Sequence, residues 1–282
     1  MTPRLAAAGR RAGLALIVVA LALVPAARGA LDAPVFYLVF LATIFFWIAQ
    51  ATSWNILSGY SGYFSFGQGA FLGVGVYTSA VLAGRHGVEF FLTIPVAAAL
   101  AVALALGIGS LAFRLRSLRG EIFALLTLAV PFILASFARI NPAIDGGQGI
   151  VLQVPSYPEF LGRFQDFLYL LSLAVAALAV GIAFAMHRSR SGWALYAIRD
   201  DENVAEGLGV PTFRYKMIAI SVTGLIAAVA GCVYAQQIGF VTVEGVFNLR
   251  VPLFVIVMSI LGGRGHWLGP ALGALIVVTL QD

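Results

Sequence analysis

Long apolar runs recur along the whole chain, and they constrain its fold more than any other feature of the sequence. Apolar residues make up 61% of the 282 residues, and charged residues only 10%. Soluble proteins carry about a quarter charged residues, so this chain lacks the charge needed to cover a folded surface in water. The sequence therefore predicts an all-α, polytopic membrane protein, a bundle of transmembrane helices.

Five runs are long and apolar enough to cross a bilayer as single helices. A span needs roughly 20 apolar residues, because a helix rises about 1.5 Å per residue and the hydrocarbon core is about 30 Å thick. The five runs cover residues 35–57, 90–113, 121–139, 166–186 and 217–239. Residues 12–27 form a shorter run, which is either a first span or a signal-like segment cleaved near Gly29.

Two further segments are apolar but interrupted. Residues 60–84 are long enough to span but rich in glycine and polar residues, which predicts a broken helix. Residues 251–261 and 268–280 are each too short to cross alone and are separated by GGRGH at 262–266, which predicts a broken or re-entrant element. The chain stops at Asp282 while still apolar, so we expect 251–280 to be an incomplete segment. Residues 1–282 then form one domain with about eight to nine transmembrane segments.

The basic residues predict the orientation of these segments. With the N-terminus in the cytoplasm, twelve of the 17 Lys and Arg residues fall in cytoplasmic loops and five fall outside, as the positive-inside rule requires. The loops 114–119 and 187–216 are then cytoplasmic, and the loop 140–165 is external. Because the basic residues form short clusters between apolar runs, they are topology signals and do not indicate binding to nucleic acid.

Several chemistries lack the residues that they need. The single lysine, Lys216, is not part of a phosphate-binding loop, so the chain itself does not bind ATP in that way. The histidines His86, His187 and His266 lie apart without carboxylates or cysteines at ligand spacing, so we expect no metal site. The lone cysteine, Cys232, excludes an intrachain disulfide. We expect no catalytic residues and no cofactor bound by this chain.

The loop 187–216 contains a short helix whose two ends are marked in the sequence. Asp200 or Asp201 can cap its N-terminus, and Glu202 lies in the first turn, where the helix dipole favours negative charge. Gly209 suits the left-handed position that ends a helix, and Pro211 prevents its continuation. The segment 200–209 is therefore predicted to be one compact helical unit.

This short helix is amphipathic and acidic. Val204, Ala205 and Leu208 share one face, and the polar residues are Asp201, Glu202 and Glu206. Helices that lie on a lipid surface are generally cationic, and an acidic helix would be repelled by anionic headgroups. The pattern favours docking onto a protein partner.

Five stretches of the chain carry a specific family resemblance. The segment ENVAEGLG (202–209), preceded by SGWALYAIRD (191–200), resembles the "EAA" coupling loop of ABC importer permeases. Together with GYSGYFSFGQGAF (59–71), LRGEIFALLTLA (118–129) and LGGRG (261–265) followed by LGP (268–270), it is similar to LivM-type permeases of branched-chain amino acid ABC transporters. Two departures are the acid Glu121, where the family more often has an uncharged residue, and an end before the family's usual last helix.

The resemblance implies a function and a set of partners. It implies the permease subunit of an ATP-driven importer for branched-chain or related amino acids in the bacterial inner membrane, not an enzyme. The implied partners are a homologous second permease, two cytoplasmic ABC ATPases, an extracytoplasmic solute-binding protein and membrane lipid. The coupling residues would be Asp201, Glu202, Val204, Ala205, Glu206, Leu208 and Gly209.

The interrupted segments are the candidate solute pathway. A broken helix exposes backbone N–H groups that can hold a carboxylate, and Gly67, Gln68 and Gly69 could supply them. Close helix packing through the G-x-x-x-G spacing of Gly69 and Gly73 is an equal alternative. The predicted pathway residues are Ser65, Gly67, Gln68, Gly69, Phe71, Gly73, Gly262 and Gly263.

A different function remains as an alternative. A stand-alone secondary carrier or channel for a small neutral or zwitterionic solute could use the same broken helices without ATP. The acidic residues argue against an ion-coupled carrier, since those next to the spans lie at span ends and none is central: Glu89, Glu121, Asp166 and Glu244. The sequence leaves the solute open among branched-chain amino acids, other amino acids, urea and amides.

Overall fold

A computed structural model of the chain describes residues 16, 18–31, 34–114, 120–158 and 162–281. Helices dominate these residues, and the two strands, β1 (Ile150–Val151) and β2 (Phe240–Val241), are two residues long. The strands pair antiparallel, with Ile150 opposite Val241. The prediction of an all-α membrane helix bundle is confirmed.

Residues 18–22 are helical, and twelve further α-helices and two π-helical turns follow within the described residues. The helices are α1 (Val24–Leu31), α2 (Phe36–Trp54), α3 (Gln68–Ser79), α4 (Phe90–Ala112), α5 (Glu121–Ile140), α6 (Phe164–His187), α7 (Arg190–Asp200), α8 (Glu202–Gly207), α9 (Thr212–Ile238), α10 (Val243–Val246), α11 (Arg250–Gly262) and α12 (Gly269–Gln281). The π-helical turns Asn55–Gly59 and Ala80–Arg85 extend α2 and α3.

Six helical segments of the described residues are long and apolar enough to cross a membrane. They are Phe36–Gly59, Phe90–Ala112, Glu121–Ile140, Phe164–His187, Thr212–Ile238 and Val243–Gly262. The first five coincide with the five predicted runs to within about one or two turns at each end. The total of about eight to nine segments stays a prediction. Residues 12–15 and 17 of the run 12–27, and residues 115–119 of the loop 114–119, lie outside the described residues.

Helix α9 lies at the centre of the bundle and packs against α2, α3, α4 and α6. Small residues allow its backbone to approach α3 closely. A Cβ atom on Gly75 would lie 2.0 Å from the carbonyl oxygen of Ala228, and one on Gly231 would lie 2.6 Å from that of Leu72. Glycine at these positions lets the two helices pack at short range, which is how helices associate in a membrane without a hydrophobic driving force.

The interruption predicted within residues 60–84 lies at residues 62–67. The helical turns that follow α2 end at Ser61, residues 62–66 have no regular secondary structure, and α3 begins at Gln68. Gly62 has a φ of +76°, a left-handed conformation that residues with side chains rarely adopt, so it allows the chain to leave the helix there.

The broken C-terminal segment is an antiparallel helical hairpin. A Cβ atom on Gly273 would lie 1.8 Å from the carbonyl oxygen of Met258, and one on Gly262 would lie 1.8 Å from that of Gly269. Helices α11 and α12 therefore pack backbone to backbone. The break at residues 263–268 is the turn between them. The expectation that residues 251–261 are too short to cross is wrong, because α10 and the residues after it extend α11 to the span Val243–Gly262.

The bundle has two distinct ends. One, the α8 end, carries α7, α8, the residues 62–66 and the hairpin turn at 263–268. The other, the strand end, carries β1, β2 and the loop 141–149. At the strand end Tyr77 donates a hydrogen bond of 2.8 Å to Asp145, and Arg139 pairs with Glu244 at 2.7 Å. These contacts hold the loop against α3 and join α5 to α10.

Candidate functional site

Helix α8 begins and ends where the sequence predicts. The Asp201 side chain caps its N-terminus by accepting hydrogen bonds from the backbone N–H groups of Asn203, at 2.8 Å, and Val204, at 3.0 Å. Gly209 follows the C-terminus with a φ of +86°. These two residues stabilise a helix of only six residues, which is too short to be stable alone in water.

The predicted apolar face of α8 is divided between the bundle and the solvent. Ala205 is buried, whereas Val204 is 58% exposed and Leu208 is 81% exposed. Trp193 on α7 is 70% exposed as well. The α8 end therefore presents large apolar side chains outside the membrane-spanning helices, together with the exposed acidic residues Asp201 and Glu206. Such apolar exposure in a loop region indicates an interaction surface.

Glu202 points into the protein, although it lies in the first turn of α8. Its carboxylate accepts a hydrogen bond from Lys216 Nζ at 2.5 Å and another from the Tyr63 hydroxyl at 2.5 Å. Lys216 Nζ also donates to the Tyr63 hydroxyl at 3.1 Å. Only 3% of the Lys216 side chain and 9% of the Glu202 side chain are exposed. The three residues form a buried cluster, here called the Tyr63 cluster.

The Tyr63 cluster connects α8 to the interrupted helix. Tyr63 lies in the non-helical residues between Ser61 and α3, and Lys216 lies in the second turn of α9. The ammonium of Lys216 is 4.7 Å from the ring centroid of Tyr63 and 5.0 Å from that of Phe113, where the aromatic rings stabilise its charge. The cluster therefore links α8 by direct hydrogen bonds both to α9 and to the residues between α2 and α3.

A second set of contacts ties α7 and the hairpin turn to the end of α2. Asn55 donates to the His266 carbonyl oxygen at 3.1 Å and accepts from the Gly265 N–H at 3.1 Å. Tyr196 donates to the Gly265 carbonyl oxygen at 2.7 Å, and burial raises the pKa of this phenol to about 12, so it remains a donor. Arg199 donates to the Gly59 carbonyl oxygen at 3.1 Å.

The backbone of the break is stabilised by neighbouring side chains. Trp54 donates to the Ser65 carbonyl oxygen at 2.6 Å, and the Ser65 side chain accepts from the Gly67 N–H at 3.1 Å. The Phe66 N–H donates to the Thr127 hydroxyl at 3.0 Å. The Ser65 and Tyr63 N–H groups donate to the hydroxyls of Ser58, at 3.2 Å, and Ser61, at 3.4 Å. Four of the N–H groups at residues 62–67 therefore already have partners inside the protein, which fixes the shape of this segment.

Gln68 opens α3 in the middle of a buried polar network. Its Nε2 donates to Gln50 Oε1 at 2.7 Å and to the Ser53 hydroxyl at 2.7 Å. Gln50 in turn donates to the Ala227 carbonyl oxygen of α9 at 3.1 Å, and Thr223 donates to the Ser53 carbonyl oxygen at 2.8 Å. The network joins α2, α3 and α9 across their buried surfaces.

The remaining predicted pathway residues of α3 contact neighbouring helices. Phe71 packs on Gly224 of α9, where an added Cβ would lie 3.1 Å from its ring. Gly73 lies against Phe247, whose ring leaves no room for a side chain there. Gly73 also lines an apolar cavity of about 470 Å³ between α3, α4 and α5. Gly69 is less tightly packed, since Pro131 and Asn248 are 3.8–3.9 Å from its Cβ position.

Gly262 and Gly263 are at the C-terminal end of α11. Gly262 makes the backbone contact with α12 already described, and Gly263 turns the chain with a φ of +98°. The eight predicted pathway residues therefore do not surround one cavity: six lie at the break and along α3, and two lie in the hairpin. Helix α2 joins the two groups, since Asn55 at its end contacts the hairpin turn and Ser259 of α11 donates to the Ala51 carbonyl oxygen at 3.2 Å.

A comparison with protein families identifies the chain. Residues 34–282 match the family described as the permease component of the branched-chain amino acid transport system. The chain belongs to this permease family. The six apolar helices of its described residues, with this family match, make the permease a multi-pass protein of the bacterial inner membrane, and the resemblance to LivM-type permeases is confirmed.

Individual relatives of the permease are bacterial transport proteins. It is 28% identical over 253 residues to the high-affinity branched-chain amino acid transport system permease protein LivM of Escherichia coli K12. The aligned region covers 81% of this chain and 59% of the relative. The LivM of Salmonella typhimurium LT2 matches to the same extent. The autoinducer 2 import system permease protein LsrC of Enterobacter sp. 638 is 35% identical over 115 residues, 39% of this chain and 34% of the relative.

The permease spans about 59% of the length of the two LivM relatives. No solved structure matches it. The relatives carry the names of transport permeases and not of enzymes. Among the described residues, no group of three or more histidines, cysteines and acidic residues is arranged to hold a metal ion.

The sequence missed several residues that organise the α8 end. Lys216 and Tyr63 were not predicted as partners of Glu202, and Asn55 and Tyr196 were not predicted as anchors of the hairpin turn. His187 and His266, expected on separate loops, lie with ring centroids 5.8 Å apart. One signal was available for Lys216, since a lysine so close to a long apolar run is expected to have a partner.

Proposed function

We propose that this chain is the permease subunit of an ATP-driven ABC importer for branched-chain or related amino acids. The observation that carries the proposal is the Tyr63 cluster, in which Glu202 of α8 is hydrogen-bonded inside the bundle to Lys216 and Tyr63. These hydrogen bonds attach α8 to α9 and to the residues before α3, so a force that a partner applies to α8 would reach both.

The partner surface is the exposed part of α8 and α7. The importer would have two cytoplasmic ATPases, one bound to this chain and one to a homologous second permease. The ATPase on this chain would hold the apolar side chains of Val204, Leu208 and Trp193 in a cleft. The acidic residues Asp201 and Glu206 surround these side chains and would meet basic residues there. The α8 end is then cytoplasmic, as the distribution of Lys and Arg predicts.

Transport follows from movement of α8. When ATP drives the two ATPases together, α8 is displaced, and the Tyr63 cluster carries this displacement to residues 62–67. Because Gln68 joins the start of α3 to α2 and α9, a shift at the break moves these helices relative to one another. ATP acts only on the partner subunits, so this chain needs no cofactor of its own.

The solute would pass near the break and along α3. We retain Ser65, Gly67, Gln68, Gly69, Phe71, Gly73, Gly262 and Gly263 as the proposed pathway residues, since they flank the two interruptions of the bundle. An extracytoplasmic binding protein would deliver the solute at the strand end. Amino acids are preferred as the solute, because the matches named for branched-chain amino acid transport cover much more of the chain than those named for autoinducer 2 import.

Affinity purification from gently solubilised native membranes tests the proposal. We expect the wild-type chain to bring down P-loop ATPases and a second permease, and the eluate to hydrolyse ATP. Leu208→Asp and Glu206→Arg should each release the ATPases, because both change the exposed surface of α8. Ile140→Asp is the matched control, since Ile140 is 78% exposed and lies at the opposite end of the bundle.

Two outcomes would count against this function. If the wild-type chain is recovered alone and without ATPase activity, under conditions that preserve a known ABC complex, the importer is excluded and the carrier or channel alternative is favoured. If Leu208→Asp and Glu206→Arg retain the ATPases as well as Ile140→Asp does, the partner surface lies elsewhere.

A further inference from the structure

The apolar cavity of about 470 Å³ that Gly73 lines, here called the α4–α5 cavity, lies in the half of the bundle nearer the strand end. At the α8 end the two helices are in contact, since the rings of Phe113, which follows α4, and Phe123 of α5 stack with centroids 5.5 Å apart. Further along, the space between the helices is the cavity, and Leu100 of α4 and Leu134 of α5 line its walls.

The α4–α5 cavity extends along the helices over about the depth of one membrane leaflet. On α3 and the turn that extends it, the lining residues run from Gly73 to Leu82, which is about 14 Å at 1.5 Å per residue. Half of the hydrocarbon core is about 15 Å thick. Leu100 of α4 and Phe137 of α5 line the cavity and are both about half exposed, so the cavity opens between these two helices to the surface of the bundle.

The lining of this cavity suits a hydrocarbon chain. Apart from Tyr77 and Thr78, the lining residues are apolar, and the Tyr77 hydroxyl already donates to Asp145. A free amino acid carries both an ammonium and a carboxylate group, and burying them against these walls would leave the ammonium without an acceptor. An acyl chain needs no polar partner, and it supplies the dispersion contacts that the walls of an empty cavity lack.

A cationic side chain lies at the strand end of the cavity. Arg85 ends the π-helical turn that contains the lining residue Leu82. Its guanidinium donates to the carbonyl oxygens of Pro142 and Asp145, which flank another lining residue, Ile144. The guanidinium is therefore positioned where the headgroup of a lipid would be if its acyl chain lay in the cavity.

Arg85 has the capacity to bind a further group. These two carbonyl oxygens use two of the five N–H groups of the guanidinium. Within the part of the chain that the structure describes, no acidic side chain forms an ion pair with Arg85: the Asp145 carboxylate accepts from Tyr77, and Glu244 pairs with Arg139. A guanidinium with unused N–H groups and an uncompensated charge matches the geometry and charge of a phosphate.

We infer that the α4–α5 cavity is a binding site for an anionic phospholipid, whose phosphate binds Arg85 and one of whose acyl chains lies in the cavity. The inference goes beyond the proposed function, because it depends on the membrane around the bundle and not on the solute. A bound acyl chain would fill the space between α4 and α5 and support α5, which contacts the break through Thr127.

Native mass spectrometry of the purified full chain in detergent tests the headgroup contact. The chain is titrated with palmitoyl-oleoyl phosphatidylglycerol and with the zwitterionic phosphatidylcholine that has the same acyl chains. We expect one tightly bound phosphatidylglycerol, with a dissociation constant about fivefold lower than that of phosphatidylcholine, which corresponds to about 1 kcal/mol for one basic residue and an anionic lipid.

Three substitutions separate the charge of Arg85 from its role in holding the loop. Arg85→Gln should abolish the preference for phosphatidylglycerol, because it removes the charge. Arg85→Lys should retain the preference, because it keeps the charge. Arg163→Gln is the matched control, since it removes an exposed arginine at the same end of the bundle but outside the cavity lining, and it should bind both lipids as the wild type does.

Filling the cavity tests the position of the acyl chain. Leu134→Trp places a large ring in the space between α4 and α5 and should abolish the tight binding of both lipids. Ile133→Trp is the control, since the neighbouring Ile133 is 65% exposed and does not line the cavity. Thermal unfolding verifies that the variants fold, and Thr78→Phe, which fills the cavity from α3, is the second variant if Leu134→Trp does not.

The results distinguish the lipid from other occupants. Equal dissociation constants for the two lipids in the wild type, or a preference that survives Arg85→Gln, would refute the headgroup contact. Unchanged lipid binding in folded Leu134→Trp or Thr78→Phe would refute the site, and loss of the second permease from these variants on affinity purification would identify the cavity as a protein interface instead. Failure to recover ATPases or uptake would refute the proposed function but not the lipid site, because lipid binding is measured on the chain alone.

Discussion

Lys216 is almost completely buried, and its ammonium is held by one carboxylate, one phenol and two aromatic rings. A charge in such a place is unfavourable unless it is paired, and removing one partner of a buried pair typically costs 3–5 kcal/mol. At the residue scale, the Tyr63 cluster is therefore the part of the molecule where a single substitution has the largest expected effect.

Removal of the Lys216 charge should destabilise the permease more than removal of both charges. Lys216→Met deprives the Glu202 carboxylate of this partner, so we expect a stability loss on the order of 3 kcal/mol. The double variant Lys216→Met with Glu202→Gln should recover part of this loss, because no charge of the pair is left buried. Thermal unfolding of the purified protein in detergent compares the two. An equal or lower midpoint in the double variant would show that the pair is not the cause.

Gly209 should be intolerant of a side chain for conformational reasons alone. An added Cβ there has no atom within 4 Å, but the φ of +86° disfavours any residue with a side chain. Gly209→Ala should weaken the end of α8 by about 1–2 kcal/mol and lower uptake. Gly207→Ala is the matched control, since its Cβ position is equally open and it lies within the helix. Uptake that falls equally in both variants would contradict this explanation.

At the scale of elements, the hairpin of α11 and α12 depends on Asn55 for its position. Asn55 makes two hydrogen bonds to the hairpin turn and is 1% exposed. Asn55→Ala leaves the Gly265 N–H without its acceptor, so we expect a destabilisation of about 1–3 kcal/mol.

The effect of Asn55→Ala should also be local. Limited proteolysis should show faster cleavage at residues 263–268 in Asn55→Ala than in Asn248→Ala, a control whose side-chain bonds are confined to nearby residues 244–250. Equal cleavage rates in the two variants would show that Asn55 does not fix the turn.

Helix α8 illustrates how far an element can be predicted from sequence. Its ends were predictable, because Asp201 and Gly209 act locally through a cap and a left-handed residue. The surroundings of its side chains were not. Glu202 is grouped with the polar residues in the sequence, but its side chain is buried because it bonds to Tyr63. This partner is 139 residues away along the chain. Contacts over that separation depend on how the helices pack.

At the scale of the whole molecule, the apolar runs predicted five of the spans, since length and hydropathy alone decide whether a helix crosses a bilayer. The C-terminal hairpin was only partly predicted. Its glycines signalled a break, but the close contacts of Gly262 and Gly273 with the facing helix, which make it a hairpin, involve backbone atoms of another element.

The central claim is that the Tyr63 cluster couples ATP hydrolysis to transport. The most direct measurement is the number of solute molecules transported per ATP hydrolysed, in proteoliposomes with the assembled importer and its binding protein. Tyr63→Phe removes the hydroxyl between Glu202 and Lys216 but keeps the ring that packs on Phe113 and Phe123. Tyr60→Phe is the control, because it removes a buried hydroxyl that bonds to Ala183 instead.

We expect Tyr63→Phe to continue to hydrolyse ATP while transport per ATP falls several-fold, and Tyr60→Phe to keep the wild-type ratio. A Tyr63→Phe importer that transports as much solute per ATP as the wild type would contradict it.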